Sequence, residues 1–170
     1  VVIKKINLKM QSNPLLFGGD FFKIINMKFK IENLKKSKKL IDFIFKKIPK
    51  ERIFLFIGDL GSGKTTYIKL LAKRLKIKEI LQSPTFILWQ KYEFFLKGKK
   101  YYLNHLDLYR IKKAKEILKL DLKKEIKDKK NIFLIEWGEK IENYLKRKKI
   151  NFVKVMIKII SFKKRIVEVK

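Results

Sequence analysis

Residues 58–65 read Gly58-Asp59-Leu60-Gly61-Ser62-Gly63-Lys64-Thr65, a complete GxxxxGK[ST] loop. The loop follows a five-residue apolar run, 53–57. It precedes a stretch, 65–75, in which Ile68, Leu71, Ala72 and Leu75 recur at helical spacing. Buried strand, glycine loop, helix start is the order in which such a loop can hold phosphate. The glycines let main-chain amides turn inward without side-chain clash, and those amides act together with the helix dipole on a β-phosphate. Lys64 is then placed to reach the β- and γ-phosphates, and Thr65 to offer a hydroxyl to magnesium. The chain is therefore expected to be α/β, with residues 58–65 and the adjoining Thr66 around a nucleotide.

The flanking sequence fills in the sheet. Leu40, Ile41, Ile44, Phe45 and Ile48 recur at helical spacing, and Pro49 ends that helix. Strands are expected over 86–89, with an extension toward Phe94, and over 101–106, with a turn at Gly98 between them. Residues 116–122 read as helix. Residues 132–135 read as a wholly apolar strand covered on both faces, and 140–145 as a helix. Alternation over 152–160 and again over 165–169 predicts an antiparallel hairpin closing one edge of an otherwise mostly parallel sheet. Residues 1–26 contain the breakers Asn13-Pro14 and Gly18-Gly19 and show no sustained period. Met27 opens the regular pattern, so 1–26 are read as an N-terminal extension and 27–170 as one domain.

Hydrolysis needs a further metal ligand and a group to orient water. Asp107 and Glu136 each stand at the carboxyl end of a candidate strand, where open α/β sheets bind ligands. Either fits the metal, and spacing does not choose between them. His105 shares the Asp107 face of an extended strand and is read as a hydrogen-bonding partner rather than a catalyst. Thr85, in Ser83-Pro84-Thr85, falls where a γ-phosphate-sensing loop belongs, and Trp137 adjoins Glu136. Packing is the plainer reading for Trp137.

Composition narrows the setting. There is no cysteine, which excludes disulfides and thiolate metal sites, and no apolar run near the roughly 20 residues that span a bilayer. A cytoplasmic protein without membrane contact is expected. The formal net charge is +29. Such a field favours nucleic acid. Lysine, however, rises together with isoleucine, asparagine and phenylalanine, whose codons are rich in adenine and thymine, so base composition is read as the main cause of the charge.

Taken together, GDLGSGKTT at 58–66, Ser83-Pro84-Thr85-Phe86, His105-Leu106-Asp107-Leu108-Tyr109-Arg110 and Ile135-Glu136-Trp137 resemble the boxes of the TsaE (YjeE) family, in order and spacing, over 27–170. The resemblance implies a P-loop NTPase fold. It also implies an ATPase subunit that binds ATP and Mg2+ and resets or regulates the machinery forming threonylcarbamoyladenosine in tRNA. TsaD-like and TsaB-like subunits would be its partners, with tRNA reached through the complex. By match, Lys64 and Thr65 serve phosphate and magnesium, and Thr85 the switch. Glu136 is taken as the metal ligand and Asp107 as the acid near water, with Trp137 supporting the nucleotide. One departure stands out: the family commonly has proline after Glu-Trp, and this chain has Gly138, which is expected to loosen that loop.

Two other readings fit the loop. A small P-loop kinase would need arginines closing over the phosphates, and Arg74, Arg110, Arg147 and Arg165 form no lid-like cluster in sequence. A basic RNA-binding module with a vestigial nucleotide site would keep RNA binding after Lys64→Ala.

Overall fold

A computed structural model describes residues 27–79, 88–112, 116 and 122–170. Among them the order is β1 Met27–Ile31, α1 Lys38–Lys47, β2 Ile53–Ile57, α2 Lys64–Arg74, β3 Trp89–Leu96, β4 Lys99–Asp107, α3 Leu122–Lys127, β5 Asn131–Glu136, α4 Glu139–Arg147, β6 Val153–Ile159 and β7 Arg165–Val169. The strands form one sheet in the order β1-β7-β6-β2-β5-β4-β3.

The sheet is mixed, which corrects the expectation of a mostly parallel one. β6, β2, β5 and β4 form a parallel interior. The pairings β1–β7, β7–β6 and β4–β3 are antiparallel. Connection length explains the mixture. A parallel neighbour needs a crossover of a dozen or so residues. β3 and β4 are joined only by Lys97 and Gly98, both at positive φ (51° and 74°), the backbone of a tight hairpin. Residues 160–164 are likewise too few to carry β7 over the sheet. The C-terminal hairpin does not form the edge either, because β1 pairs along β7 from Met27↔Val169 to Ile31↔Arg165 and covers it.

Each interior strand sends alternate residues to opposite faces. From β2, Phe54 and Phe56 join Leu40, Ile44, Ile68 and Leu71 under α1 and α2. Ile53 and Leu55 join Leu122, Ile126, Ile141 and Leu145 under α3 and α4. Both faces are covered, so β2 and β5 read as continuous apolar runs rather than alternating ones. α1 grows out of a short 3-10 turn, Leu34–Ser37, whose first amides are capped by Asn33: its side chain accepts from Lys36 N at 3.1 Å. Pro49 follows α1 as expected.

Most of the expected elements fall within a residue or two of their observed bounds. β3 begins at Trp89, so Phe86 and the start of the strand expected over 86–89 lie outside the described residues. So does most of the helix expected over 116–122; α3 begins at Leu122. At the amino end of β5, Asn131 and Asn104 are fully buried and satisfy each other. Asn104 Nδ2 donates to Asn131 Oδ1 at 3.1 Å, and Trp89 Nε1 donates to Asn104 Oδ1 at 3.0 Å. That network pins the register of β4 on β5. Register in turn places His105 opposite Leu134 and Asp107 opposite Glu136.

Candidate functional site

The loop leaving β2 passes so close to β6 that a Cβ on Gly58 would lie 2.5 Å from Ile157 O. Only glycine allows the approach. Gly61 and Gly63 have φ of 73° and 102°, the left-handed region that turns successive amides to one side. Gly63 also begins α2 without a side-chain cap, so no side chain of the N-cap residue occupies the first amides of that helix.

Lys64, the first residue of α2, is only 5% exposed. Its Nζ donates to Gly58 O at 2.7 Å and Asp59 O at 2.9 Å and lies 3.9 Å from the centre of the Trp137 ring. Burial pushes its pKa below the ordinary lysine value. Glu136, Glu139, Asp107 and Asp59 pull it back up. The ammonium is thus held between loop carbonyls and an aromatic face, with acids nearby.

Thr65 Oγ1 donates to Glu136 Oε2 at 2.8 Å. The other carboxylate oxygen, Oε1, is 2.8 Å from His105 Nε2. Against an ionised Glu136, the imidazole proton belongs on Nε2, and His105 Nδ1 has no partner among the described residues. His105 is therefore the hydrogen-bonding partner expected of it, here to Glu136. Asp107, opposite Glu136 in register, shares its face of the sheet and accepts from Tyr109 N at 2.9 Å. Asp107 and Glu136 are both buried. Across the mouth, the Tyr109 and Trp137 rings meet at 5.1 Å, and Lys140 Nζ reaches the Tyr109 carbonyl and, at 2.9 Å, Ile111 O.

A cleft of about 340 Å3 lies between the loop and these groups. Leu60, Gly61, Gly63, Lys64, Thr65, Thr66, Asp107, Tyr109, Glu136 and Trp137 line it. Gly58, Asp59 and Ser62 shape the loop instead. The first two lend carbonyls to Lys64, and Ser62 N closes a turn onto Asp59 O at 3.1 Å. Thr85 lies outside the described residues.

Gly138 has an ordinary φ of −62°, so the glycine is not there to allow a left-handed backbone. A Cβ there would stand 2.5 Å from Leu55 Cβ and 2.8 Å from Leu55 Cα, and Gly138 N donates to Phe56 O at 3.3 Å. The glycine supplies room for α4 to start against β2. The unusual backbone belongs to Trp137, at φ 56°.

Sequence reasoning assigned no role to Tyr109 or Arg165. Tyr109 stands two residues after Asp107 in the same box, and that spacing was a usable signal. Arg165, a hundred residues from the loop, carries no local signal, yet its guanidinium reaches the carbonyls of Ser62 (3.2 Å) and Gly61 (3.4 Å).

The donor set is hydroxyl and carboxylate oxygen, which suits a hard cation. Among the described residues no three or more His, Cys, Asp or Glu side chains are grouped to hold a metal by themselves. Magnesium in phosphate sites relies on one or two protein oxygens plus the phosphates. Thr65 and Glu136, with Asp107 alongside, fit that sparse requirement.

The family model described as threonylcarbamoyl adenosine biosynthesis protein TsaE matches residues 31–166. Proteins named tRNA threonylcarbamoyladenosine biosynthesis protein TsaE align with the chain. The Rickettsia typhi protein is 32% identical over 80% of this chain and 89% of its own length. The Borreliella burgdorferi protein is 36% identical over 64% of this chain and 78% of its own. The Rickettsia felis protein is 34% identical over 68% of this chain, and the match spans 64% of that relative, just under two thirds. The model's span takes in the loop, both carboxylates, Trp137 and Arg165, and on that footing the chain belongs to the TsaE family.

Proposed function

We propose that the chain binds ATP with Mg2+ in this cleft and hydrolyses it, as the ATPase subunit of the machinery that forms threonylcarbamoyladenosine in tRNA. TsaD-like and TsaB-like proteins are its proposed partners, tRNA is met through that complex, and the setting is the cytoplasm. The relatives are named for this biosynthesis. The observation that carries the nucleotide reading is the hydrogen bond from Thr65 Oγ1 to Glu136 Oε2 at 2.8 Å, with Asp107 beside it. It joins the helix after the glycine loop to the tip of the neighbouring strand.

Magnesium bound with the triphosphate would supply charge neutralisation and polarise the γ-phosphoryl group. The protein's part is positioning. Thr65 and Glu136 would hold the cation. Lys64 would exchange the Gly58 and Asp59 carbonyls for β- and γ-phosphate oxygens, stronger acceptors because they are charged. Asp107 would orient the attacking water. Tyr109 and Trp137 would restrict water at the mouth, and Thr85 would sense the γ-phosphate.

Calorimetric titration of the protein with Mg·ATP tests the site. Lys64→Ala removes a charge-assisted partner worth roughly 2 kcal/mol or more, so affinity falls about thirtyfold or further. Unchanged affinity defeats the assignment. Mixing the protein with TsaD-like and TsaB-like subunits, with and without ATP, tests the assembly, and no co-migrating complex in either condition counts against it.

A further inference from the structure

The loop is gripped from behind. Arg165, at the start of β7, stands on the side of the loop away from Glu136. The cleft it lines shares Gly61, Gly63 and Thr66 with the cleft that holds the carboxylates. Its Nε donates to Ser62 O at 3.2 Å and one terminal nitrogen to Gly61 O at 3.4 Å. The other terminal nitrogen donates to Ser161 O at 2.8 Å, Phe162 O at 3.0 Å and Lys164 O at 3.3 Å. One guanidinium thereby ties two carbonyls of the glycine loop to three carbonyls of the β6–β7 turn.

We infer that Arg165 is a positioning residue for the phosphate loop, a splint that sets the direction of its amides before any nucleotide arrives. In a trans peptide the C=O and the N–H lie in one plane and point in opposite directions. With Ser62 O fixed toward Arg165, the N–H of Gly63 is turned the other way, toward Lys64 and the carboxylate cleft. Gly61 and Gly63 have the backbone freedom to rotate those planes, so something outside the loop must hold them. A guanidinium, with five N–H donors in a rigid planar fork, serves these five carbonyls from two segments at once, more than a lysine's three donors on one nitrogen can hold. The splint also joins the loop to an exposed turn, in which Phe162 is 90% exposed. This inference rests on the nucleotide reading for its consequence, though not for its geometry.

The test uses the full chain with Arg165→Gln and Arg165→Lys. Amide hydrogen exchange at Ser62, whose N–H donates to Asp59 O, reads the splint directly in the nucleotide-free protein. The glutamine variant is expected to exchange about tenfold faster there, while β2 and β5 keep their protection. Affinity for Mg·ATP and for inorganic tripolyphosphate should fall together, about tenfold for glutamine and less for lysine, with kcat moved less than KM. Unchanged exchange in the loop overturns the inference. So does a lysine variant equal to wild type, since charge alone would then suffice. A loss for ATP with none for tripolyphosphate overturns it too, because Arg165 would be acting on the nucleoside. If the glutamine variant fails to fold, the lysine variant carries the same measurements. Should wild type bind no ATP while the loop amides still loosen, the nucleotide reading falls and the splint stands.

Discussion

At the scale of single residues the site is a chain of buried charges that justify one another. Lys64 is a buried cation whose pKa is pushed down by desolvation and held up by Glu136, Glu139, Asp107 and Asp59. The sign of its pH effect follows. Phosphate favours the protonated amine, so ATP binding takes up a proton wherever free Lys64 is neutral. Affinity is expected to be flat at lower pH and to weaken as pH rises through the pKa of the free protein, with an onset below the ordinary lysine value of 10.5. Titrations across alkaline pH check this, and a flat profile there would place Lys64 away from the phosphates. Glu136 offers a second separation. In Glu136→Gln the amide oxygen can accept from His105 Nε2 while its NH2 donates to Thr65 Oγ1, so every present bond keeps a partner. Thermal and urea unfolding should stay within about 1 kcal/mol of wild type. Under the proposed function, magnesium-dependent hydrolysis should fall about a hundredfold or more, because the carboxylate proposed to hold the cation has been lost. Glu136→Ala instead leaves a buried N–H of His105 unmet and is expected to unfold about 1–3 kcal/mol more easily.

Elements set these residues against one another, and the start of α4 is the tightest joint. Gly138 sits on Leu55, in the middle of the buried central strand β2, where neither backbone can give. Gly138→Ala is expected to destabilise the fold by about 1–3 kcal/mol in urea unfolding and to weaken ATP binding as well, since Trp137 is displaced with the helix start. A neutral result would mean that α4 shifts freely on the sheet. This joint marks the border of what sequence shows. β2, the glycine loop and α2 were readable because apolar period, glycine spacing and helix start lie within about twenty-five consecutive residues. Asp107 and Glu136 were readable because each stands at the carboxyl end of a strand that the sequence marks. Their common face was not, because it depends on the register of β4 on β5, set in part by Asn104 and Asn131. The antiparallel margins of the sheet, the β1 edge, the Gly138–Leu55 contact and the reach of Arg165 all join segments far apart in the chain. Local pattern carries no trace of such pairings.

Charge acts over the whole molecule. With 45 basic and 16 acidic residues, at least 29 cations have no acid of their own. The ion pairs at the surface, such as Lys28–Glu168 and Lys91–Glu125, are partly exposed and contribute little. The folded chain therefore repels itself, and salt should relieve it. Raising ionic strength from about 0.01 M to about 1 M shortens the screening length from roughly 30 Å to 3 Å. The melting temperature is expected to rise by a few degrees, about 1 kcal/mol in a domain of this size. The same series separates attraction by the general field from binding in the cleft. Unspecific attraction to RNA releases counterions in proportion to the phosphates contacted, so its affinity collapses steeply with salt. ATP bound in the cleft as proposed would be held by buried partners, Lys64 at 5% exposure among them, which salt screens far less. Log affinity against log salt should therefore be several times steeper for an RNA oligonucleotide than for Mg·ATP. Equal slopes would mean that ATP is drawn only by the general field, and the loop, the carboxylates and the arginine behind them would then be architecture without a nucleotide.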